Sequence, residues 1–533
     1  QPRPTLETYK YPMPGDKHVS QEELISFDVG TKGRVDLDIG KWRDQSIDGV
    51  YLAGNGSEKM YFVRRDRTWK DVELCEANTQ TGEVKALISE HVEPYFHTMY
   101  TKFASINNGS ELIWFSERDG WGHLYLFDSQ GNLQNRITQG AFTVGAISRI
   151  DTTNRTLYVE AYGREAEVDP YYNMYYKVGF DGNEFQLLTP ENATHSFRMS
   201  MSNKYFVDAF SRVDLPTKSV LRDSRGNVVL ELETVDTSKL TEAGWRPAET
   251  FTVKAADGIT DLYGVMWKPF NFDPERKYPV IAYCYPGPQA EPVTKTFLEI
   301  RNERVHNIPL AQLGFVVISV GQRGGSPQRS KWYHNYGYDN LRDYPLADNK
   351  AAIEQLAARH SFIDINKVGI YGRSGGGFMS TAAILVYPDF YKVAVSSAGN
   401  HDNNIYNLWW SESHHGVKEV TKKVKDKESG EEKEETVFES KIPTNQSLAE
   451  NLKGHLLLYH GEIDNNVHPA NTIRVVDELI KAGKRFDLKI FPGKRHTYGD
   501  YTSYIERMMW YYFAEHLLGD YKTNVDIRDY DKK

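Results

Sequence analysis

Residues 371–378 read Tyr-Gly-Arg-Ser-Gly-Gly-Gly-Phe. They follow the short apolar run Lys367-Val368-Gly369-Ile370 and precede the helix-like Phe378-Met379-Ser380-Thr381-Ala382-Ala383-Ile384-Leu385. Strand, Gly-x-Ser-x-Gly, helix is the order of a nucleophile elbow, a turn that holds a serine in strained backbone with its hydroxyl exposed above a sheet. Gly372, Gly376 and Gly377 suit such a turn, because a side chain there collides with the tightly apposed strand and helix. A glycine-rich turn without chemistry is the bland alternative; the flanking strand and helix favour a nucleophile at Ser374.

An elbow needs an acid and a base, in the chain order Ser, Asp or Glu, His. Leu456-Leu457-Leu458-Tyr459-His460 reads as a buried parallel strand that ends in the polar loop Gly461-Glu462-Ile463-Asp464-Asn465-Asn466-Val467. Asp464 therefore sits at the carboxyl end of a strand, where catalytic groups collect. Glu462 competes with it. Phe486 to Phe491 forms the next strand, and its loop Pro492-Gly493-Lys494-Arg495-His496 brings up the base candidate. Of the 16 histidines, His496 is favoured because it follows the last strand and precedes a terminal amphipathic helix, Tyr501 to Leu518. His460 and His468 read as structural hydrogen-bonders, and His401, His414 and His415 as pocket or surface residues.

These motifs, with others upstream, resemble the catalytic domain of the prolyl oligopeptidase family, and within it the dipeptidyl peptidase IV-like branch, of bacterial type. Lys277-Tyr278-Pro279-Val280 leads into Tyr283-Cys284-Tyr285-Pro286-Gly287-Pro288, similar to the family's strand ending in Tyr-x-Gly-Pro. Arg323-Gly324-Gly325 resembles its Arg-Gly loop, and Asn335-Tyr336-Gly337 with Asp343 to Asp348 resembles the helix before the elbow. The matches run in order from about residue 250 to 518. The resemblance implies an oxyanion hole made by the Tyr285 hydroxyl and the Gly375 N–H, and a proline-sized pocket around Tyr406, Trp410, Asn466 and Val467. Ordinary core aromatics are the alternative for Tyr406 to Trp410. The chain also departs from the family pattern: Arg373 and Gly375 flank the serine where bulky and aromatic residues are usual, Gly321 stands where aspartate is frequent, and Pro286 where alanine is common.

The first 235 residues differ in character. Tyr and Trp are dense, short runs alternate, and turn glycines recur at Gly82, Gly131, Gly182 and Gly226, at intervals of 49, 51 and 44 residues. About 40–50 residues per unit is the spacing of four-stranded propeller blades. A sandwich is the alternative. Roughly four blades follow an entering hairpin near Ile25–Asp38, whereas propellers of the resembled family have seven or eight. Gln1 is no initiator, so the chain is expected to be the carboxyl part of a longer polypeptide whose upstream half would supply the glutamates that bind a substrate amine.

The expected architecture is thus an incomplete β-propeller over 1–235 and, over 236–533, an α/β hydrolase with a mostly parallel, doubly wound sheet. Residues Val235 to Ala248 are the expected crossing. Net charge is −9 and no basic stripe occurs, which argues against nucleic acid as a partner. No run of 18 apolar residues appears, so no membrane span is expected. Two cysteines, Cys75 and Cys284, give no disulfide framework, and a bacterial periplasmic or, second, cytoplasmic setting fits. No metal-type spacing or phosphate loop is present, so no metal and no cofactor is expected. Lys418 to Glu435, with six lysines against seven acids, reads as a solvated hairpin after the pocket region; a flap or subunit contact is the other reading. The function expected is a serine peptidase acting on short peptides, releasing dipeptides after Pro or Ala, with a homodimer allowed. An oligopeptidase or acylaminoacyl peptidase, or a non-catalytic propeller-based binding protein, are the alternatives.

Overall fold

Strand Tyr278–Tyr283 shows how the carboxyl half is built. All six side chains are buried, and they alternate: Val280 and Ala282 join one apolar cluster, Ile281 and Tyr283 another. A strand apolar on both faces must be covered on both, which is the condition of a sheet wrapped by helices. The computed structural model describes residues 6–54, 57–97, 102–298, 306–425, 432–521 and 527.

Eight strands form that sheet: Glu249–Lys254 (β1), Asp261–Trp267 (β2), Tyr278–Tyr283 (β3), Val316–Val320 (β4), Ile363–Arg373 (β5), Tyr391–Ser397 (β6), His455–Gly461 (β7) and Asp487–Phe491 (β8). Their order in space is β1-β2-β4-β3-β5-β6-β7-β8. β2 runs antiparallel to β1 and β4, and every other neighbouring pair is parallel. Helices Tyr344–Arg359, Gly375–Val386 and Ala470–Lys481 contribute Leu356, Met379 and Val475 to one face. Asn307–Gln312 and Thr502–Phe513 contribute Leu310 and Met509 to the other. This is an α/β hydrolase layout with all parallel carboxyl ends on one rim.

The amino-terminal part is all β. After the two-stranded hairpin of Ile25–Phe27 and Arg34–Asp36 come four antiparallel four-stranded sheets, spanning 46–91, 103–136, 143–187 and 194–234. Each carries one of the recurrent glycines in the turn before its last strand, with φ of +81°, +82°, +83° and +93° for Gly82, Gly131, Gly182 and Gly226. The period has a second cause beyond the turn. A Cβ on Gly131 would lie 2.0 Å from the Leu87 carbonyl oxygen, one on Gly182 3.0 Å from that of Arg136, and one on Gly226 2.6 Å from that of Leu188. Each turn thus nests against the outer edge of the sheet before it, and only glycine fits. Asp128, Asp181 and Asp223 brace three of these turns by accepting from Asn132, Asn183 and Asn227.

Between Thr234 and Glu249 the chain crosses through a short helix, Ser238–Glu242. The charged run forms an antiparallel hairpin, Lys418–Lys425 with Glu432–Glu439. It leans on the propeller side: Glu435 pairs with Lys17, and the Arg67 guanidinium lies 4.2 Å from the Phe438 ring centroid. Its sequence centre, Ser429-Gly430, lies outside the described residues.

Candidate active site

β5 delivers Ser374 at its carboxyl end, and helix Gly375–Val386 starts directly behind it. Ser374 has φ 59° and ψ −121°, a conformation that costs a non-glycine residue free energy and marks functional sites. Its N–H donates to the Ser397 carbonyl on β6 (2.8 Å), which pins the turn. The flanking glycines are sterically required. A Cβ on Gly372 would come within 2.6 Å of Gly376, one on Gly376 within 2.5 Å of the Cys284 carbonyl oxygen, and one on Gly377 within 2.4 Å of that of Ser397.

Tyr285 lies two residues past β3, the strand beside β5. Its hydroxyl interacts with the Ser374 side chain and the Gly375 N–H, while burial raises it above its ordinary pKa. Gly375 N–H stands in the first turn of the elbow helix, so the helix dipole adds positive potential there. A Cβ on Gly375 would sit 3.2 Å from the Tyr285 ring, so Tyr285 is seated closely against the start of the elbow helix.

Asp464 follows β7 and His496 follows β8. His496 Nδ1 and Asp464 Oδ2 are 2.7 Å apart. With Nδ1–H donated to the carboxylate, Nε2 is the nitrogen left to accept a proton. The other Asp464 oxygen accepts from the N–H groups of Asn466 (2.9 Å) and Val467 (3.0 Å). Burial would raise the Asp464 carboxyl, but hydrogen bonds from His460 and His496 outweigh it and hold the group well below the ordinary carboxylate range. Glu462 instead accepts from the Gly493 N–H at 2.9 Å, on an exposed turn.

Ser374, Tyr285, His496 and Asn466 line one cavity of about 370 Å³, together with Arg373 and Glu291. Arg373 donates to the His496 carbonyl (3.2 Å). Gln289 and Glu291 also line a cavity of about 880 Å³ between the propeller sheets and the hydrolase. The Ser374 cavity thus adjoins this larger one through Gln289 and Glu291. Tyr406, Trp410 and Val467 pack with Leu341 and Phe378 in one apolar cluster. Tyr406 and Trp410 meet edge to face at 5.8 Å, and the Tyr406 hydroxyl donates to Asn466 Oδ1 (3.3 Å).

The other five histidines weighed in the sequence take different places. His460 meets Thr472 Oγ1 at 2.7 Å and the Val467 carbonyl at 2.8 Å, so it braces the acid loop. His468 is exposed and accepts from the Ala470 N–H. His401, His414 and His415, expected in a pocket or on the surface, are all buried; they meet Asn445, Gln289 and Asn403 respectively. Their locations follow from packing under β6 and its helix, which local sequence does not disclose. Glu191, His195 and Asp208 bring ligand atoms within 4.8 Å of one another. There the Arg222 guanidinium supplies the cation, donating to Asp208 (2.8 Å) and Glu191 (2.6 Å). Sequence reasoning missed Tyr11, whose hydroxyl donates to the Asn466 carbonyl from 455 residues away; no local motif signals that approach.

Fold and site together define an α/β hydrolase with a serine elbow, preceded by a propeller-type domain. A model of the prolyl oligopeptidase family matches residues 303–520, and one of the dipeptidyl peptidase IV N-terminal region matches residues 1–217. Over its carboxyl part the chain is thus similar to the prolyl oligopeptidase family, and over its amino-terminal part to the N-terminal region of dipeptidyl peptidase IV. Human dipeptidyl peptidase 8 is 27% identical over 373 residues, which cover 68% of this chain and 39% of the relative. A protein of Neosartorya fischeri named as a dipeptidyl-aminopeptidase B is 26% identical over 535 residues, 93% of this chain and 54% of its own length. The chain therefore spans about half the length of the curated relatives it matches, or less. Among solved structures, a Bacteroides ovatus protein described as a dipeptidyl aminopeptidase IV superposes with a TM-score of 0.81 at 26% identity, covering 96% of this chain and 71% of that one. Porphyromonas gingivalis dipeptidyl peptidase 4 shares the fold, with a TM-score of 0.81 at 23% identity, covering 96% and 69%.

Proposed function

We propose that this protein is a serine peptidase that releases amino-terminal dipeptides from short peptides, cleaving after Pro or Ala. The observation that carries this reading is one cavity lined by Ser374, Tyr285 and His496, with His496 held by Asp464 at 2.7 Å. Ser374 Oγ attacks the scissile carbonyl carbon as its proton passes to His496 Nε2. The Tyr285 hydroxyl and Gly375 N–H donate to the oxyanion. Collapse of the intermediate breaks the C–N bond, and His496 protonates the departing amine. Water then attacks the ester, giving a proton to His496, and the dipeptide acid leaves as Ser374 regains its proton.

In this reading the apolar cluster of Tyr406, Trp410 and Val467, which meets the Ser374 cavity through Asn466, would supply the slot for a pyrrolidine ring. Ile473, Ile480 and Ile490, exposed on the last parallel βα unit, support a homodimer as part of the same reading. An oligopeptidase or acylaminoacyl peptidase would use the same machinery but accept blocked amino termini.

The test is labelling by a fluorophosphonate together with hydrolysis of Xaa-Pro anilides, free and amine-blocked. Ser374→Ala should abolish both labelling and turnover, since loss of a triad serine costs several powers of ten. Residual activity within tenfold of wild type excludes Ser374 as nucleophile, and preference for blocked substrates selects the oligopeptidase reading.

A further inference from the structure

Ahead of the entering hairpin and the propeller sheets, the chain runs Tyr9-Lys10-Tyr11-Pro12-Met13-Pro14-Gly15. Pro12 and Pro14 bias Tyr11 and Met13 towards extended backbone, so the segment reads as a stiff strap rather than a coil. It lies against the hydrolase, touching the base loop, the acid loop and the helix Leu408–His415. Glu7 pairs with Arg495, the residue before His496, at 2.6 Å. The Tyr11 hydroxyl donates to the Asn466 carbonyl at 2.6 Å, and its ring packs against the cluster of Tyr406, Trp410 and Val467. The Pro12 carbonyl accepts from Leu408 N–H (3.0 Å), and Gly15 N–H donates to Glu412 (2.9 Å), near the two ends of helix Leu408–His415.

We propose that Tyr11 is a positioning residue of the proline pocket, and that the strap around it fixes the acid loop and the pocket helix relative to each other. The inference rests on the peptidase reading above. Its physical basis is that loop 464–467 is gripped twice. Asp464 holds the Asn466 N–H from one side, and Tyr11 holds the Asn466 carbonyl from the other. The backbone that carries the Asn466 side chain to the cavity is thereby fixed from both sides, its Oδ1 accepts from the Tyr406 hydroxyl, and the Tyr11 ring covers the cluster of Tyr406 and Trp410. Without the hydroxyl, one hydrogen bond is lost and the loop gains freedom, an effect of about 2–10-fold on a local equilibrium. Without the ring, the slot loses a wall, and a P1 proline loses more than a P1 alanine because it fills more of the slot.

The test compares Tyr11→Phe and Tyr11→Ala with wild type in the intact protein, in two arms. Hydrogen–deuterium exchange of the segment around 464–468 needs no substrate; Tyr11→Phe should speed it about 2–10-fold, and Tyr11→Ala more. Steady-state kinetics on Xaa-Pro and Xaa-Ala anilides should show KM for the proline substrate rising several-fold with kcat less affected, and the Pro:Ala preference falling, most in Tyr11→Ala. Exchange that stays at the wild-type rate in both variants overturns the proposal. So does an equal loss on Pro and Ala substrates that tracks a drop in melting temperature, the signature of a merely structural role. If wild type cleaves neither substrate, the peptidase reading fails, and the exchange arm alone then decides the strap.

Discussion

Arg67 and Glu412 join the two domains through a two-pronged ion pair. Arg67 Nε lies 3.0 Å from one Glu412 oxygen and Nη2 lies 2.8 Å from the other, with both side chains buried. Arg67 sits on a propeller turn, and Glu412 on the helix that also carries Trp410. The pair therefore reports on how firmly the propeller side holds the pocket helix. Glu412→Ala removes the two-pronged partner of a buried guanidinium and leaves it only the Asp44 carboxylate, at 3.2 Å, so it should cost about 2–4 kcal/mol in urea denaturation. The double replacement Arg67→Met with Glu412→Leu should recover only part of that loss, because Asp44 then loses Arg67 and keeps Arg43, at 3.7 Å. A Glu412→Ala protein within about 1 kcal/mol of wild type would show that the pair is not buried in solution.

Tyr285→Phe removes one hydroxyl and almost no volume. If that hydroxyl stabilises the oxyanion, kcat should fall about 10²–10³-fold while KM changes little. An unchanged kcat assigns Tyr285 to packing alone.

The slot around Tyr406 and Trp410 should select P1 by size and polarity. Pro should lead, Ala should follow, and Lys or Asp should be cleaved weakly, because a charge there is buried without a partner. Trp410→Ala should lower kcat/KM for the proline substrate at least tenfold and narrow the gap to alanine. A P1 profile led by Lys or Arg, measured on a substrate library, rules the slot out as the selector.

Acid should weaken the fold before it reaches the Asp464 carboxylate. Burial pushes His401, His414 and His415 down to about 3, so each stays neutral in the folded chain while an unfolded chain protonates them near their usual value. The unfolded state thus binds more protons between about pH 6.5 and 3. Stability is complete above that window and falls through it as pH drops, by up to about 1.4 kcal/mol per pH unit for each histidine. Asp464 acts in the same sense, but its loss comes only in stronger acid, since its carboxyl is held below the ordinary range. Melting temperatures should therefore decline steadily from about pH 7 to pH 5; a flat profile contradicts the burial of neutral imidazoles.

The places of Ser374, Asp464 and His496 were legible because each is written locally: an apolar strand, a short turn or loop, then the candidate residue beyond the strand's carboxyl end. The blade count was legible from Gly82, Gly131, Gly182 and Gly226, since left-handed backbone and close seating leave glycine no substitute. What stayed hidden spans long stretches of chain. Tyr11 reaches Asn466 across 455 residues, and Arg67 reaches Glu412 across 345. Neither carries a motif, because a lone tyrosine or arginine finds its partner only after two domains have docked. The burial of His401, His414 and His415 was hidden for the same reason.

The nested glycine turns bear on how such a molecule diversifies. Each joint between successive sheets is a main-chain seat, a carbonyl facing a residue with no side chain. A seat of that kind carries no record of which amino acids surround it, so neighbouring units are interchangeable at the joint, like rungs cut to one gauge. Side chains on the strands are then free to drift towards new surfaces and new ligands while the pitch of the array is inherited unchanged.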